Sequence, residues 1–310
     1  MSYLKKPEWI WRPEGETTHV HHWVKHEGEA DVVLFGAPLS RSSISASAAS
    51  EYPDAFRKMW KGFAVYNLDE RVDLSRISVR DAGDVSMHTT DILESHRRIE
   101  AVAKELAGET SCMIGGDHST TACAVRGIKA AFPDETIGIL QLDTHLDVRD
   151  PAELGPANGT PIRQLIDGGT VEGENVVNIG LHGYFNAKPL VDYADAQGIH
   201  MVTMREARRN GIAATIAEAA RKLSGTDRIY ATIDLDVLDI SAAPGVPAST
   251  PGGMKAEELF EALLEIGKLP SVKHIDFVCL DPAKDNQVAA TVKTGVYAWL
   301  QFMTGFALRS

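Results

Sequence analysis

Cysteine is scarce in this 310-residue chain, which has only Cys112, Cys123 and Cys279. Each stands in an apolar context, and three thiols are too few for a disulfide framework. Their scarcity therefore indicates a reducing compartment such as the cytoplasm. The first residues, MSYLKKPEWIW, contain no long apolar segment, so we expect no signal peptide.

Long hydrophobic runs and an excess of basic residues are also missing. The longest apolar region, VYAWLQFMTGFAL at 296–308, is too short to cross a bilayer and predicts a packed terminal helix. There are 31 basic and 43 acidic residues, which gives a formal net charge of −12. This balance argues against a nucleic-acid or anionic-membrane surface. It does not restrict the charge of a small substrate, because a pocket can differ in sign from the surface.

No internal repeat and no linker rich in proline, glycine or serine divides the chain. We therefore expect a single domain over 1–310, with an N-terminal extension over about 1–28. The apolar runs predict strands at 31–37, 77–83, 111–116, 136–143, 176–181, 200–204, 228–236 and 274–281. Continuously apolar strands separated by helical segments indicate a three-layer α/β/α domain with a mostly parallel, about eight-stranded sheet. An eight-stranded βα barrel is the competing topology.

Ionisable residues directly follow three of these predicted strands. The strand predicted at 111–116 ends in GGDHS (115–119). The strand at 136–143 ends in DTHLD (143–147), and the strand at 228–236 ends in DLD (234–236). In both topologies, functional residues lie beyond the carboxyl ends of the strands. Alternate residues of an extended chain point to one side, so each motif presents its side chains together if the extended path continues.

These motifs together predict a metal centre. Each one alone has an ordinary interpretation as a helix cap or a turn. Four carboxylates and two imidazoles could not share a dry site without a cation, however, because like charges that close repel. The donor types favour an ion such as Mn²⁺, and two ions that share aspartates fit the number of donors. The predicted ligands are His118, Asp143, His145, Asp147, Asp234 and Asp236.

The three motifs, in this order, resemble the signatures of the ureohydrolase family of arginases, agmatinases and formimidoylglutamases. The likeness extends from FGAPLSRSSISASAASEYPDAFRKM to the C-terminal helix. It implies a three-layer α/β fold, two Mn²⁺ ions per subunit, and a bridging hydroxide that attacks a guanidino or amidino carbon. It also implies assembly into a trimer or hexamer.

The resemblance implies a ligand set for each ion. One ion is expected to bind His118, Asp143, Asp147 and Asp234. The other is expected to bind Asp143, His145, Asp234 and Asp236. Asp143 and Asp234 would bridge the two ions, and Asp147 would also act in catalysis by orienting the hydroxide.

Arg149, two residues after DTHLD, is a candidate for binding a substrate carboxylate. Bacillus-type formimidoylglutamases resemble this sequence in having arginine there, and GPANGTPIRQLID and APLSRSSIS look like their loops. N-formimino-L-glutamate has two carboxylates, and a guanidinium can bind one through two hydrogen bonds. The other interpretation of Arg149 is a surface ion pair with Asp150 or Glu153. Weaker candidates for the second carboxylate are Arg163, Ser42, Ser43 and Ser45.

Two positions depart from the family pattern. Asn158 stands where arginases and agmatinases have a proton-shuttling histidine, and an amide can bind substrate but cannot transfer a proton at neutral pH. This favours the formimidoylglutamase interpretation. Cys279 stands where a substrate-binding glutamate normally precedes the proline, here Pro282, by three residues. Asp281 could replace that glutamate, the thiol could bind the substrate, catalysis could be lost, or Cys279 could simply be a small buried hydrophobic residue.

The other histidines are weaker candidates. HVHHW, with His19, His21 and His22, has no flanking ligands and is interpreted as a solvated stretch, whereas His88 and His182 follow strands and are either pocket or loop residues. The leading hypothesis is a cytoplasmic, Mn²⁺-dependent hydrolase that converts N-formimino-L-glutamate to L-glutamate and formamide in histidine degradation. The alternatives are hydrolysis of agmatine or a guanidino acid, and a metal-binding homologue with impaired catalysis.

Overall fold

The computed structural model describes residues 18–309. Within them the strands are β1 (Val32–Ala37), β2 (Tyr66–Asn67), β3 (Val72–Asp73), β4 (Val79–Asp84), β5 (Thr110–Gly115), β6 (Ile137–Leu142), β7 (Val176–Leu181), β8 (His200–Thr203), β9 (Arg228–Asp234) and β10 (Val272–Val278). The α-helices are α1 (Val20–Trp23), α2 (Tyr52–Met59), α3 (Ile92–Glu105), α4 (Ser119–Ala131), α5 (Pro151–Leu154), α6 (Pro161–Asp167), α7 (Lys188–Gln197), α8 (Met204–Asn210), α9 (Ile212–Lys222), α10 (Ala256–Lys268) and α11 (Ala290–Ala307). Short 3₁₀ segments lie at Ala49–Glu51, Trp60–Gly62, Leu74–Arg76, Gly173–Asn175, Leu235–Val237 and Pro282–Lys284.

Eight strands form one sheet in the order β4-β1-β5-β10-β9-β6-β7-β8, and every neighbouring pair is parallel. The predicted eight-stranded parallel sheet is confirmed, and its eight strands are the eight expected from the apolar runs. The barrel is wrong, because the sheet is open and β4 and β8, its two outermost strands, do not pair with each other. The pair formed by β2 and β3 was not predicted, since two residues per strand are too few to show a periodic pattern.

Helices cover both faces of the sheet, which explains the continuously apolar strands. All six residues of β6 are buried. Leu140 and Leu142 pack with α9, α10 and α11 on one face. Ile137 and Ile139 pack with α3, α4 and α6 on the other. This alternation of side chains along each strand divides the core into two layers and gives the predicted three-layer architecture.

The two ends of the described chain pack together. The predicted terminal helix is α11, and no helix among residues 18–309 is long and apolar enough to span a membrane. Of the predicted extension, residues 1–17 lie outside the described residues. Within the remainder, Val20 and Trp23 are buried, and the ring centroid of Trp23 lies 5.8 Å from that of Trp299 in α11.

The buried His274 of β10 predicts a pH-dependent stability. Its Nδ1 lies 2.8 Å from Ser111 Oγ, and burial lowers its pKa to about 3. The unfolded chain binds a proton at this position below about pH 6.5, whereas the folded protein does not, so acidification favours unfolding. Between pH 7 and pH 5 this difference costs about 2 kcal/mol.

Replacement His274→Gln should remove this contribution. We expect the free energy of unfolding, measured by urea denaturation, to fall about 2 kcal/mol less in the variant than in the wild type between pH 7 and pH 5. The exposed His26 provides the matched control, and His26→Gln should show the same difference between pH 7 and pH 5 as the wild type. Equal pH dependence in wild type and His274→Gln would contradict the argument.

Candidate metal centre

The four central strands of the sheet, β5, β10, β9 and β6, are adjacent and end at the same edge. His118 follows β5 at the start of α4, DTHLD follows β6, and Asp234 is the last residue of β9. All six predicted ligands therefore lie at this edge. Five of them are buried, and the side chain of His145 is 26% exposed.

The six side chains form two overlapping groups of donor atoms. Donor atoms within each group lie within 4.8 Å of one another. The first group contains His118, Asp143, Asp147 and Asp234, and the second contains Asp143, His145 and Asp236. Asp143 belongs to both, as a bridging ligand must, whereas Asp234 belongs only to the first.

The backbone of DTHLD is not extended throughout, in contrast to the simple alternating pattern. It bends at residues 144 and 145, and Asp147 adopts a left-handed conformation with φ of +55°. The backbone N–H groups of Ile162 and Arg163, in the first turn of α6, donate to the Asp147 carbonyl at 3.2 and 3.5 Å. The free N–H groups of a helix start thus hold this conformation. As a result, Asp147 joins His118 and His145 joins Asp236, instead of all three side chains facing one point.

The environment of His118 fits a cation. Its Nε2 lies 2.9 Å from Thr232 Oγ1, and the Thr232 hydroxyl donates to Asp276 Oδ1 at 2.7 Å. Since that hydroxyl proton is used on Asp276, the oxygen must accept the Nε2–H of His118, which turns Nδ1 toward the acidic side chains. Nδ1 is buried at 2.7, 3.3 and 3.2 Å from carboxylate oxygens of Asp147, Asp143 and Asp234. These carboxylates favour a positive charge at Nδ1. A proton supplies it when they raise the pKa of His118 well above its ordinary value, and a metal ion bound to Nδ1 can supply it instead.

The ionisation of the cluster reflects the same excess of negative charge. Burial and the neighbouring Asp143 carboxylate raise the pKa of Asp147 to about 6. Burial and Asp234 raise the pKa of Asp236 well above its ordinary value. Burial alone would lower the pKa of His145, but Asp236 and Asp143 raise it to about 12. The carboxylates thus favour a nearby positive charge, which a divalent cation can supply.

Asp276 is a buried residue behind His118 that was not predicted. It accepts hydrogen bonds from the hydroxyl groups of Thr121, Tyr230 and Thr232 at 2.7, 2.8 and 2.7 Å. These donors compensate for the burial of a carboxylate in the middle of β10. The signal in the sequence was an acidic residue inside the apolar run HIDFV, where a charge requires partners.

A cavity opens above the donor groups. Its floor includes His145, Asp147, Asp234 and Asp236, and its walls include Arg149, Asn158, Phe185 and Asn186. The Arg149 backbone N–H donates to the Gly159 carbonyl at 3.0 Å, and a Cβ added to Gly159 would lie 3.0 Å from Arg149 Cδ. Glycine at 159 thus leaves room for the arginine stem.

The Arg149 guanidinium has no ion-pair partner within residues 18–309, so the surface pair with Asp150 or Glu153 is not formed. Arg163 binds Asp150 instead, at 2.9 Å, and also Asp167 at 3.0 Å. Arg163 does not line the cavity, in contrast to the predicted substrate contact, because these two carboxylates hold it outside.

Asn158 and Ser45 both line the cavity, as expected for substrate-binding candidates. The side-chain carbonyl of Asn158 accepts the backbone N–H of Ile44 at 2.8 Å, so this residue also orders the loop at 40–45. Ser42 faces away, with its hydroxyl 3.4 Å from Nε2 of the buried His96. Ser43 does not contribute to the cavity wall.

Cys279 is buried at the end of β10, with φ of +64°, and does not line the cavity. Burial raises the pKa of its thiol, and the nearby Asp234 raises it further, which disfavours a thiolate. Asp281 cannot replace the missing glutamate, because its two carboxylate oxygens accept the backbone N–H groups of Ala48 and Ala283 at 2.9 Å each. The environment of Cys279 is that of a small buried residue beside the centre.

The remaining histidines do not join the cluster. His182 lies 2.8 Å from the Gly180 carbonyl and 3.0 Å from Thr250 Oγ1. His88 Nδ1 accepts the backbone N–H of Asp91 at 2.9 Å. Both are loop histidines with protein partners. His19, His21 and His22 belong to neither donor group found in the described part of the chain.

A parallel α/β sheet with two overlapping groups of donor side chains at its carboxyl edge defines the class of α/β proteins that can hold metal ions there. The chain belongs to the arginase family, which it matches over residues 30–305.

Similar proteins include the formimidoylglutamase of Halalkalibacterium halodurans, which is 38% identical over 282 residues, covering 89% of this chain and 88% of that protein. The Bacillus subtilis formimidoylglutamase is 35% identical over 280 residues, covering 89% of this chain and 87% of that protein. A crystal structure of the B. subtilis enzyme matches with a TM-score of 0.93 at 31% identity, covering 99% of this chain and 97% of that one. A structure of Trypanosoma cruzi formiminoglutamase with Mn²⁺ matches with a TM-score of 0.88 at 27% identity, covering 95% and 100%.

The hydrogen bond between His118 and Thr232 predicts a dependence of metal affinity on Thr232. The isosteric change Thr232→Val leaves the buried Nε2–H without an acceptor and no longer holds the imidazole. We expect Mn²⁺ affinity to fall about 10- to 100-fold in a titration of chelator-treated protein. Thr232→Ser keeps the hydroxyl and should bind close to wild type. Wild-type affinity in a folded Thr232→Val variant would contradict this role.

Proposed function

We propose that this protein is a Mn²⁺-dependent hydrolase that converts N-formimino-L-glutamate and water to L-glutamate and formamide. The observation that carries the proposal is the guanidinium of Arg149, which has no ion-pair partner among residues 18–309 and lies on the wall of a cavity whose floor is formed by two overlapping metal-donor groups. A linear amidine with carboxylates fits this combination of charges. The names of the similar proteins described above support the same substrate.

Two Mn²⁺ ions would be held by the six clustered side chains. His118, Asp143, Asp147 and Asp234 would hold one ion, and Asp143, His145 and Asp236 the other, with Asp234 as an expected second bridge. Bound there, the ions would supply positive charge and make water nucleophilic at neutral pH. The buried carboxylates and imidazoles form a donor set suited to such borderline ions.

The side chains of the protein orient the attacking water and the substrate, and they exclude bulk water from the site. Asp147 lies in the cavity floor, where its carboxylate can accept a hydrogen bond from the attacking water and direct it at the amidine carbon. Arg149 can bind a substrate carboxylate through two hydrogen bonds, and the amide of Asn158 can accept or donate at the same wall. The ring of Phe185 covers part of the site, with its centroid 6.4 Å from that of His145.

The first test is hydrolysis by the Mn²⁺-loaded protein of N-formimino-L-glutamate, arginine, agmatine and 4-guanidinobutyrate. We expect formamide from the first compound and no urea from the others. Removal of the metal with a chelator should abolish hydrolysis, and Mn²⁺ should restore it. Urea from agmatine or 4-guanidinobutyrate alone would replace the proposal with the corresponding alternative in this family.

If the protein binds two ions but hydrolyses none of the four compounds, the result would instead favour a metal-binding homologue with impaired catalysis. The change Cys279→Glu tests this alternative, because it restores the carboxylate that the family pattern has at this position. A large gain of hydrolysis from near zero would support impaired catalysis. We expect no such gain, since Cys279 is buried and does not line the cavity.

A second prediction concerns the recognition of the carboxylate. Arg149→Ala should lower kcat/KM for N-formimino-L-glutamate about 100-fold, because a charge-assisted pair with the substrate is lost. The effect should be mainly on KM. Arg163→Ala provides the matched control, because its guanidinium binds Asp150 and Asp167 outside the cavity, and it should change kcat/KM by less than about 3-fold. Equal losses in the two variants would remove Arg149 from its proposed role.

The family resemblance also supports a place in histidine degradation in the cytoplasm, and a trimer or hexamer. Light scattering coupled to size-exclusion chromatography would test the assembly. A monomer would remove that part of the proposal and leave the chemistry unaffected, since all six proposed ligands belong to one chain.

A further inference from the structure

The backbone that carries the metal donors continues past the end of the sheet. Pairing between β6 and β7 ends at Leu142 and Ile179, and the Asp143 N–H donates to the Ile179 carbonyl at 3.1 Å. Beyond Asp143, β7 no longer accompanies this segment. Its hydrogen-bonding groups must therefore find other partners, because buried backbone groups left unpaired are costly.

Neutral amide side chains replace the missing strand. Gln141 Nε2 donates to Asp143 Oδ2 at 2.6 Å, and Asn178 Nδ2 donates to the His145 carbonyl at 2.7 Å. Asn186 makes two hydrogen bonds: Nδ2 donates to the Thr144 carbonyl at 2.9 Å, and Oδ1 accepts the Leu146 N–H at 2.9 Å. Together these amides hold every residue from 143 to 146.

The position of Asn186 corresponds to that of a backbone peptide group. A parallel strand beside His145 would donate to the carbonyl of the preceding residue and accept from the N–H of the following residue. Those are the two groups that the Asn186 amide binds, on either side of His145. Asn186 thus binds this segment as a neighbouring peptide group would, but not in the register of β7, whose next partners would be the Asp143 carbonyl and the His145 N–H.

The chemistry of this position requires an amide. A carboxylate would face the Thr144 carbonyl with no proton to donate, and it would add a negative charge to a cluster of four acidic side chains. An alanine would leave both backbone groups without a protein partner. Only asparagine combines a donor, an acceptor, neutrality and this length.

We infer that Asn186 is a positioning residue for His145, and that it sets the imidazole for the second metal ion. His145 Nδ1 lies 2.9 Å from Asp236 Oδ2 and 3.6 Å from Asp143 Oδ1, so a small change in the backbone at 144–146 separates the members of the second donor group. The first group depends on it less, because His118 is held from α4 and β9. The inference rests on the proposed function only in that two ions bind.

Titration of chelator-treated protein with Mn²⁺, followed by the electron paramagnetic resonance signal of free Mn²⁺, tests this role. In Asn186→Ala we expect the affinity for one ion to fall at least about 10-fold, while the other ion binds within about 3-fold of wild type. Asn67→Ala is the matched control, because it removes side-chain hydrogen bonds to Gln301 and Thr304 away from the cavity. Two ions bound with wild-type affinity in Asn186→Ala, or equal weakening of both ions, would overturn the inference.

Hydrogen exchange of the metal-free protein provides a measurement independent of ions and activity. The Leu146 N–H should exchange about 10-fold faster in Asn186→Ala, and the Asp143 N–H, which pairs with β7, should not change. Unchanged exchange of Leu146 in Asn186→Ala would overturn the inference. If the alanine variant does not fold, Asn186→Ser takes its place in both measurements, because its side chain is too short to span the two groups.

The two proposals fail in different ways. Wild-type protein that binds fewer than two ions, or that hydrolyses none of the four compounds, would count against the proposed function. The exchange of Leu146 in the metal-free variants would still decide whether Asn186 holds the segment. Conversely, an active wild type with unaltered binding in Asn186→Ala would reject only the role of Asn186.

Discussion

Repulsion among four buried carboxylates is the constraint on which the rest of this site depends. Asp143, Asp147, Asp234 and Asp236 lie at one edge of the sheet, where burial removes the screening that water would provide. The imidazoles of His118 and His145 lie among these carboxylates, and the hydroxyls that bind Asp276 lie behind His118. Such a cluster is stable only with added positive charge, either as protons or as metal ions. The same repulsion that destabilises the carboxylate cluster without a cation therefore gives the cluster affinity for divalent cations.

A charged cluster of this kind must be held without adding further charge. The protein uses hydroxyls and amides for this purpose. Thr232 accepts the Nε2–H of His118. The Asn186 side chain binds the backbone on both sides of His145, and the Asn178 side chain binds the His145 carbonyl. These groups are neutral, so they constrain geometry while leaving the electrostatic balance to the metal. The Asp276 carboxylate behind His118 is linked to it only through the Thr232 hydroxyl.

The substrate side of the cavity shows how ion pairing selects among similar residues. Arg149 and Arg163 lie on the same stretch of chain, and both are chemically able to bind a carboxylate. Asp150 and Asp167 neutralise Arg163 at the surface, which leaves Arg149 as the guanidinium available on the cavity wall. A basic group inside an acidic protein of net charge −12 is consistent with a small anionic substrate, because a pocket potential is local.

The sequence alone determined the parallel three-layer fold and the identity of the six clustered side chains, because apolar strands and the residues that directly follow them are local patterns. Spacing alone could not determine how those side chains divide between two donor groups, since this depends on the bend after β6 and on the left-handed Asp147 held by α6. The family resemblance implied the division, and the structure places Asp234 in the first group only. The choice between Arg149 and Arg163 and the roles of Asp276 and Asn186 likewise required the tertiary structure. Each depends on contacts between segments distant in the chain, such as Asn186 with Leu146, for which a single sequence carries no periodic signal.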